Sequence, residues 1–311
     1  MSRTTDSQPS DAVEVRSAEK HISRREIIGA IGLTALAATG DAVAQTLRPV
    51  EAAAGRASTN GRFKEKVVLI TGATSGIGES TAYAFAREGA RVFFCGRREE
   101  LGRQVESRIK GFGGEATYIR ADVRREEDVR SFVDGCVKKY ARIDVAFNNA
   151  GVEAVAANLA EQRLENFLNV MTTNATGVFL SMKYEIPVML RQGGGVIVNN
   201  ASVSAHDGYA LISPYSASKH AIVGLTKCAA LEYVPKNIRI NSISPGAVDT
   251  PMLRRALVGF KTTAAEVAKT IPIQRVNTVE EMARIVMFLS SDEASAVAGM
   301  DMDVTGGMLT A

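Results

Sequence analysis

The sequence predicts a single α/β domain, a doubly wound parallel sheet of about seven strands with helices on both faces. Three observations predict it. From Arg62 onward, short β-branched runs alternate with longer amphipathic ones. The first of these runs passes directly into a glycine-rich turn that opens a helical stretch. And 311 residues, 46% hydrophobic and 23% charged, suffice to bury one large core.

The strand candidates are Val67 to Thr71, Arg91 to Cys95, Ala116 to Ala121, Asp144 to Asn148, Val196 to Asn200, Arg239 to Ser244 and Met300 to Val304. Each is short and mostly apolar rather than alternating, as strands covered on both faces must be. Between them lie helical candidates such as Ile77 to Glu88, Glu126 to Tyr140, Tyr215 to Tyr233 and Val279 to Ser290. No repeat period interrupts this alternation. A sheet of this kind takes ligands beyond the carboxyl ends of its strands, where the strand order switches.

A net charge of +3, with basic and acidic residues interleaved, leaves no footprint for nucleic acid, which is excluded as a partner. Cys95, Cys136 and Cys228 are odd in number and widely spaced, suiting neither a disulfide framework nor a zinc site, and are read as buried thiols. The chain start differs from the rest. Lys20, Arg24 and Arg25 precede a weakly hydrophobic run from Ile27 to Ala38, and the small residues Ala42-Val43-Ala44 follow. The run falls short of the ~20 apolar residues that span a bilayer, so stable membrane insertion is not expected. Residues 1–44 therefore read as an export signal, 45–61 as a linker and 62–311 as the folded domain. Ser23-Arg24-Arg25-Glu26-Ile27-Ile28 resembles the twin-arginine consensus, with isoleucines where Phe-Leu is usual and Gly29 in place of a common Lys. That resemblance implies a periplasmic protein cleaved after Ala44; the alternative is an N-terminal extension on a cytoplasmic one.

The glycine turn reads Thr71-Gly72-Ala73-Thr74-Ser75-Gly76-Ile77-Gly78. A turn without side chains lets a pyrophosphate approach the backbone, while the N–H groups and positive dipole of the helix start stabilise its charge. On spacing alone, a turn that binds nothing would look the same. The pattern T-G-x-x-x-G-x-G, however, resembles the nucleotide loop of the short-chain dehydrogenase/reductase family at every fixed position. The resemblance implies a Rossmann-type sheet and places Gly72, Ser75, Gly76, Ile77 and Gly78 at the coenzyme. After the second strand comes Cys95-Gly96-Arg97-Arg98, where a carboxylate would bind the ribose 2′-hydroxyl of NAD. None is present, and the Arg97 guanidinium can hold a 2′-phosphate, so NADP(H) is favoured and NAD(H) is the alternative. Arg98 is expected at a solvated helix start.

Tyr215-Ser216-Ala217-Ser218-Lys219 sets a phenol and an ammonium on one helical face, in the helix opened near Pro214. A phenol with a pKa near ~10 is a poor base at neutral pH, and a nearby cation favours its ionised form. Ser202, just past the strand Val196 to Asn200, can donate to a substrate carbonyl oxygen. The serine, tyrosine and lysine resemble the catalytic group of the same family. Its members also have Asn148-Asn149-Ala150-Gly151, of which Asn149 falls at the coenzyme, and an asparagine, here Asn174, that holds a water linking the lysine to solvent. Asp122-Val123 matches the segment beside the adenine ring, and Val248 and Thr250, in Pro245 to Thr250, match the loop over the nicotinamide. Asp303 to Gly307 closes the resemblance, while Asn200-Ala201 departs from the common Ile-Ser before the serine.

His206 has no second His or Cys near it in sequence and is read as a polar loop residue, so no metal site is expected. Met252, Leu253, Leu257, Val258 and Phe260 fall in the family's variable substrate lid. The resemblance implies hydride transfer between the nicotinamide and a small carbonyl or secondary alcohol, with Tyr215 as acid/base. A nucleotide-binding redox sensor without turnover is the alternative on the same fold. Family members associate through helices here around Asn174 to Arg191 and Tyr215 to Tyr233, so a homo-oligomer, dimer or tetramer, is expected.

Overall fold

A computed structural model describes residues 61–310. The expected export signal and all of the linker except Gly61 lie outside the described residues. The strands are β1 (Val67–Thr71), β2 (Arg91–Gly96), β3 (Glu115–Arg120), β4 (Val145–Asn148), β5 (Gly195–Asn200), β6 (Ile238–Pro245) and β7 (Asp301–Val304). They form one parallel sheet in the order β3-β2-β1-β4-β5-β6-β7. The chain winds outward from β1 to β3, returns to β4 beside β1, and winds the other way. Connections leaving β1 and β4 therefore diverge, opening a crevice at their carboxyl ends.

Strand alternation sorts the core into two layers. Val67, Leu69, Ala146 and Ile197 point to one face, with Phe132, Met189 and Ile222 packed there. Those three come from α3 (Glu126–Tyr140), α5 (Gly177–Arg191) and α6 (Ser213–Tyr233). Val68, Ile70, Phe147 and Val198 point to the other face, against Phe85, Ile109 and Val286. These belong to α1 (Gly76–Arg87), α2 (Glu99–Gly111) and α9 (Val279–Ser290). Each large apolar side chain so buried stabilises the fold by about 1.5–3 kcal/mol relative to exposure. The doubly wound, seven-stranded class predicted from alternation is the one observed.

β1, α3 and α9 begin and end where the sequence places them. α6 starts at Ser213, two residues before Tyr215, because Pro214 suits a first helical turn and lacks the N–H that would go unpaired there. Between β4 and β5 the chain forms α4 (Leu164–Met171), a π turn (Thr172–Thr176) and then α5. The π turn carries Asn174 and sets it out of the regular helical register. After β6 follow α7 (Pro251–Gly259), in the segment that the family resemblance assigns to a substrate lid, and α8 (Ala264–Lys269). α8 and α9 open on full capping boxes, Thr263 with Glu266 and Thr278 with Glu281. α1 opens differently: its first residue follows Ser75, whose side chain makes no capping hydrogen bond. Its leading N–H groups thus face the crevice without a side-chain acceptor.

Candidate active site

A cleft of about 940 Å³ runs along the carboxyl ends of β1, β2, β4, β5 and β6. Gly72, Ser75, Gly76 and Ile77 form one wall at the start of α1. Gly72 and Gly76 adopt φ of 70° and 62°, a left-handed backbone that disfavours a side chain. A Cβ on Gly72 would come 2.6 Å from the Ala150 Cα, so only glycine lets β1 and β4 continue into loops this close. Gly78 lies behind the wall, where a Cβ would meet the Gly72 carbonyl at 2.6 Å. It does not line the cleft; its role in the structure is to let the turn fold back on α1. The bare turn, the uncapped helix start and the volume together fit a dinucleotide.

Across from the turn, the ends of β4 and β5 are fastened to it. The Asn149 amide donates to the Thr71 and Gly72 carbonyls at 3.2 and 3.0 Å, and Asn200 donates to Asn149 Oδ1 at 3.0 Å. The Lys219 ammonium donates to the Asn200 carbonyl at 2.7 Å. It lies 5.5 Å from the centre of the Tyr215 ring, one turn earlier on α6. Lys219 is 4% exposed, and burial pulls its pKa down from 10.5 to about 7. Burial also raises the Tyr215 phenol; a hydrogen bond with Ser202 works against that rise and the Glu153 carboxylate adds to it. The phenol is therefore protonated at neutral pH, in contact with Ser202 and open to the cleft.

Asn174 is fully buried just behind this group. Its amide donates to the Val152 carbonyl and to Ser218 Oγ, both at 3.0 Å, while its Oδ1 accepts from the Val152 N–H at 2.8 Å. These bonds fix the loop after β4 to the helix of Tyr215; none runs directly to Lys219. Val123, Val248 and Thr250 line the cleft, and Thr250 also caps α7 by accepting from the Leu253 N–H at 3.2 Å. Asp122 lines it too. Burial pushes the Asp122 carboxyl up, but hydrogen bonds from Arg124 and the charge of Arg97 outweigh this and hold it below the usual carboxylate range.

Several residues stand elsewhere than the sequence suggests. Arg97 and Arg98 are both exposed at the cleft edge, and Arg98, the N-cap residue of α2, stands at the solvated helix start that the sequence suggests but makes contacts that it does not. Its guanidinium folds over the glycine turn and donates to Thr74 Oγ1 at 2.8 Å and Ser75 Oγ at 2.6 Å. Cys95 and Cys136 are buried, whereas Cys228 is exposed, on the outer side of α6. Met252, Leu253, Leu257 and Phe260 face the cleft, but Val258 is 79% exposed and points away. His206 is a polar loop residue whose Nε2 lies 2.5 Å from Asp301 Oδ2, outside the cleft lining. Tyr209, Glu153 and Arg255, which sequence reasoning passes over, also line the cleft. Among the described residues no group of His, Cys, Asp and Glu is arranged to hold a metal ion, and no helix is long and apolar enough to cross a membrane.

Residues 72–309 match the family described as enoyl-(acyl carrier protein) reductase. Cyclohexanol dehydrogenase of Acinetobacter sp. strain SE19 is 41% identical over 245 residues, spanning 79% of this chain and 95% of that protein. Levodione reductase superposes with a TM-score of 0.79 at 35% identity, over 80% of this chain and all of its own. Xylitol dehydrogenase, solved with NAD+ bound, superposes with a TM-score of 0.76 at 33% identity, over 79% of this chain. Matches of this extent carry the reaction class as well as the fold. The chain belongs to the short-chain dehydrogenase/reductase family, and it is an oxidoreductase that moves hydride between a nicotinamide coenzyme and an alcohol or carbonyl.

Proposed function

We propose that Tyr215 is the acid/base of a carbonyl reductase or alcohol dehydrogenase that prefers NADP(H) and acts on uncharged, compact, apolar substrates. The observation that carries this reading is the Tyr215 phenol, protonated, bonded to Ser202 and set above the buried ammonium of Lys219. A dinucleotide held with its pyrophosphate at Gly72 to Ile77 would supply or accept the hydride at its nicotinamide. Tyr215 then gives its proton to the substrate oxygen in reduction or takes it in oxidation, and Ser202 donates to that oxygen and holds it in place. Lys219, when charged, favours the phenolate that reduction leaves. Asn174 anchors the loop that closes this side of the cleft, and a water held by it would connect Lys219 to solvent. With the phenol raised above its ordinary pKa, Tyr215 holds the proton that reduction would draw on.

Arg97 and Arg98 support NADP(H), since both stand at the cleft edge beyond β2, where a guanidinium can pair with a 2′-phosphate. Asn149, Asp122, Val123, Val248 and Thr250 complete the coenzyme's surroundings. The substrate end is walled by Val152, Ala154, Leu211, Leu253, Leu257 and Phe260. Such a wall favours apolar substrate surface. The relative named for cyclohexanol suggests an alicyclic ring as the natural shape. Leu164, Phe167, Leu168 and Phe179, apolar and exposed on α4 and α5, suit the expected association of copies. Residues 1–44 retain their reading as a twin-arginine signal, which would carry a folded enzyme to the periplasm.

The direct test is a panel of cyclic ketones, linear ketones, their alcohols and acyl thioesters, each assayed with NADPH and NADH by following nicotinamide absorbance. Turnover of cyclic ketones with NADPH, well above that of thioesters, is the expected result. Activity confined to charged substrates or to NADH would contradict it.

A further inference from the structure

The lid helix α7 reaches back over the cleft and makes an ion pair with the opposite wall. Arg255 Nε and Nη2 donate to the two oxygens of Glu153 at 2.5 and 3.1 Å. Glu153 follows Val152, the residue held on both its N–H and its carbonyl by Asn174, so the carboxylate is rigidly presented. Both partners line the cleft. We propose that Arg255 is a further coenzyme ligand, aimed at a phosphate of the dinucleotide, and that Glu153 is its resident counter-ion, displaced when the phosphate arrives. This assignment rests on the nicotinamide reading above.

Three observations place Arg255 there. First, the start of α7 lies directly over the glycine turn: a Cβ on Gly76 would come 3.2 Å from Thr250 Cγ2 and 3.9 Å from Pro251 Cδ. Arg255 is one helical turn further on, and its guanidinium lines the cleft within electrostatic reach of Arg98, which is bonded to the turn. Second, Arg98 is pinned on Thr74 and Ser75, and the charges of Arg255 and Arg97 both bear on it. Three guanidinium groups thus converge on the end of the turn. Third, the carboxylates near them are few: Glu79 bears on Arg98 but is bonded to Tyr83, Asp122 is bonded to Arg124, and Glu153 alone is bonded to Arg255. Like charges are gathered at a cost that an anionic ligand, approaching the same spot, would offset. A guanidinium binds phosphate in the same two-pronged geometry that it now offers Glu153, so exchange of one anion for the other needs only a change of partner.

A simple clasp between lid and wall would behave otherwise. Removing either half of a clasp loosens the lid alike, whereas removing the counter-ion of a ligand arginine frees it for the phosphate. The test measures dissociation constants of NADPH and NADH by fluorescence titration of the full chain, as wild type, Arg255→Met and Glu153→Gln, with thermal melting to show that each is folded. Arg255→Met is expected to weaken binding about tenfold, the scale of one charge-assisted hydrogen-bonded pair to phosphate, and Glu153→Gln to tighten it severalfold by freeing that same guanidinium. Weakening of both coenzymes assigns Arg255 to the pyrophosphate; weakening of NADPH alone assigns it to the 2′-phosphate. Wild-type affinity in Arg255→Met, or equal weakening by both substitutions, would overturn the assignment while leaving the nicotinamide reading intact. Failure of the wild-type protein to bind either nucleotide would overturn that reading and this assignment with it.

Discussion

β4 and β5 end in two polar layers, one residue apart, that use the same amino acids differently. In the upper layer Asn149 and Asn200 tie the strand ends to the glycine turn and to Lys219. In the lower layer Asn148 donates to Glu185 Oε2 at 3.0 Å and to Asn199 Oδ1 at 3.1 Å, and Asn199 donates to Thr226 Oγ1 at 2.9 Å. The lower layer therefore joins α5, β4, β5 and α6 just beneath the site. Each layer holds one buried ionisable group moved by the same cause. Burial lowers Lys219 to about 7 and raises Glu185 from 4.5 to about 7. Only Lys219 lines the cleft; Glu185 is sealed between helix and sheet. A displaced pKa thus marks burial in both layers, and access to the cleft is what separates chemistry from architecture.

The comparison is sharpened most by Lys219→Met. Turnover is expected to fall by at least about 10²-fold, because the cation that favours the phenolate is lost, and coenzyme affinity should fall too, since the family resemblance implies that Lys219 also grips the ribose. Stability should respond in the opposite sense. With its folded pKa depressed, Lys219 makes the wild-type protein gain stability as pH rises from about 7 towards 10.5, where the unfolded chain still binds the proton. The full swing is of the order of 5 kcal/mol, and the variant should lose that slope. Urea melts at several pH values, run beside steady-state rates, read both effects.

Glu185→Gln should invert this pattern, with little change in turnover and a clear change in stability. A raised carboxyl pKa contributes stability that is fully present below 4.5 and lost as pH rises through about 7. The variant should therefore lack a decline of about 3 kcal/mol between those limits, and be the more stable protein at pH 8. A large fall in kcat with Glu185→Gln would merge the two layers into one functional unit. A smaller effect is expected of Arg97→Asp at the exposed cleft edge. It should weaken NADPH binding about tenfold, leave NADH nearly unchanged, and shrink as salt is added. Equal affinity of the wild-type protein for both coenzymes would remove the basis for that expectation.

What the sequence disclosed follows from range. The glycine turn, the Tyr215–Lys219 pair and the strands around them are set by neighbours a few residues apart, and their positions are legible from spacing alone. Leu164 to Arg191 reads less clearly, since the π turn shifts the helical period and Pro187 interrupts it. Glu153 and Arg255 stand 102 positions apart, and neither carries a local signal that foretells the other. Glu185 looks like any helical glutamate until the sheet covers it. Arg98 is the exposed helix start that the sequence suggests, but nothing in Cys95-Gly96-Arg97-Arg98 shows that Thr74 and Ser75 lie within reach of its guanidinium. Val258 and Cys228 sit among apolar neighbours in sequence, yet the helical turn carries both outward.

The central claim is that the Tyr215 phenol transfers the proton. Its most direct test is Tyr215→Phe, measured twice on the same preparation: coenzyme affinity by fluorescence titration, and turnover on the best ketone of the panel. Deleting one hydroxyl should leave the NADPH dissociation constant within about twofold of wild type and lower kcat by about 10²- to 10⁴-fold. A variant that binds NADPH normally and turns over at a near wild-type rate would contradict the account.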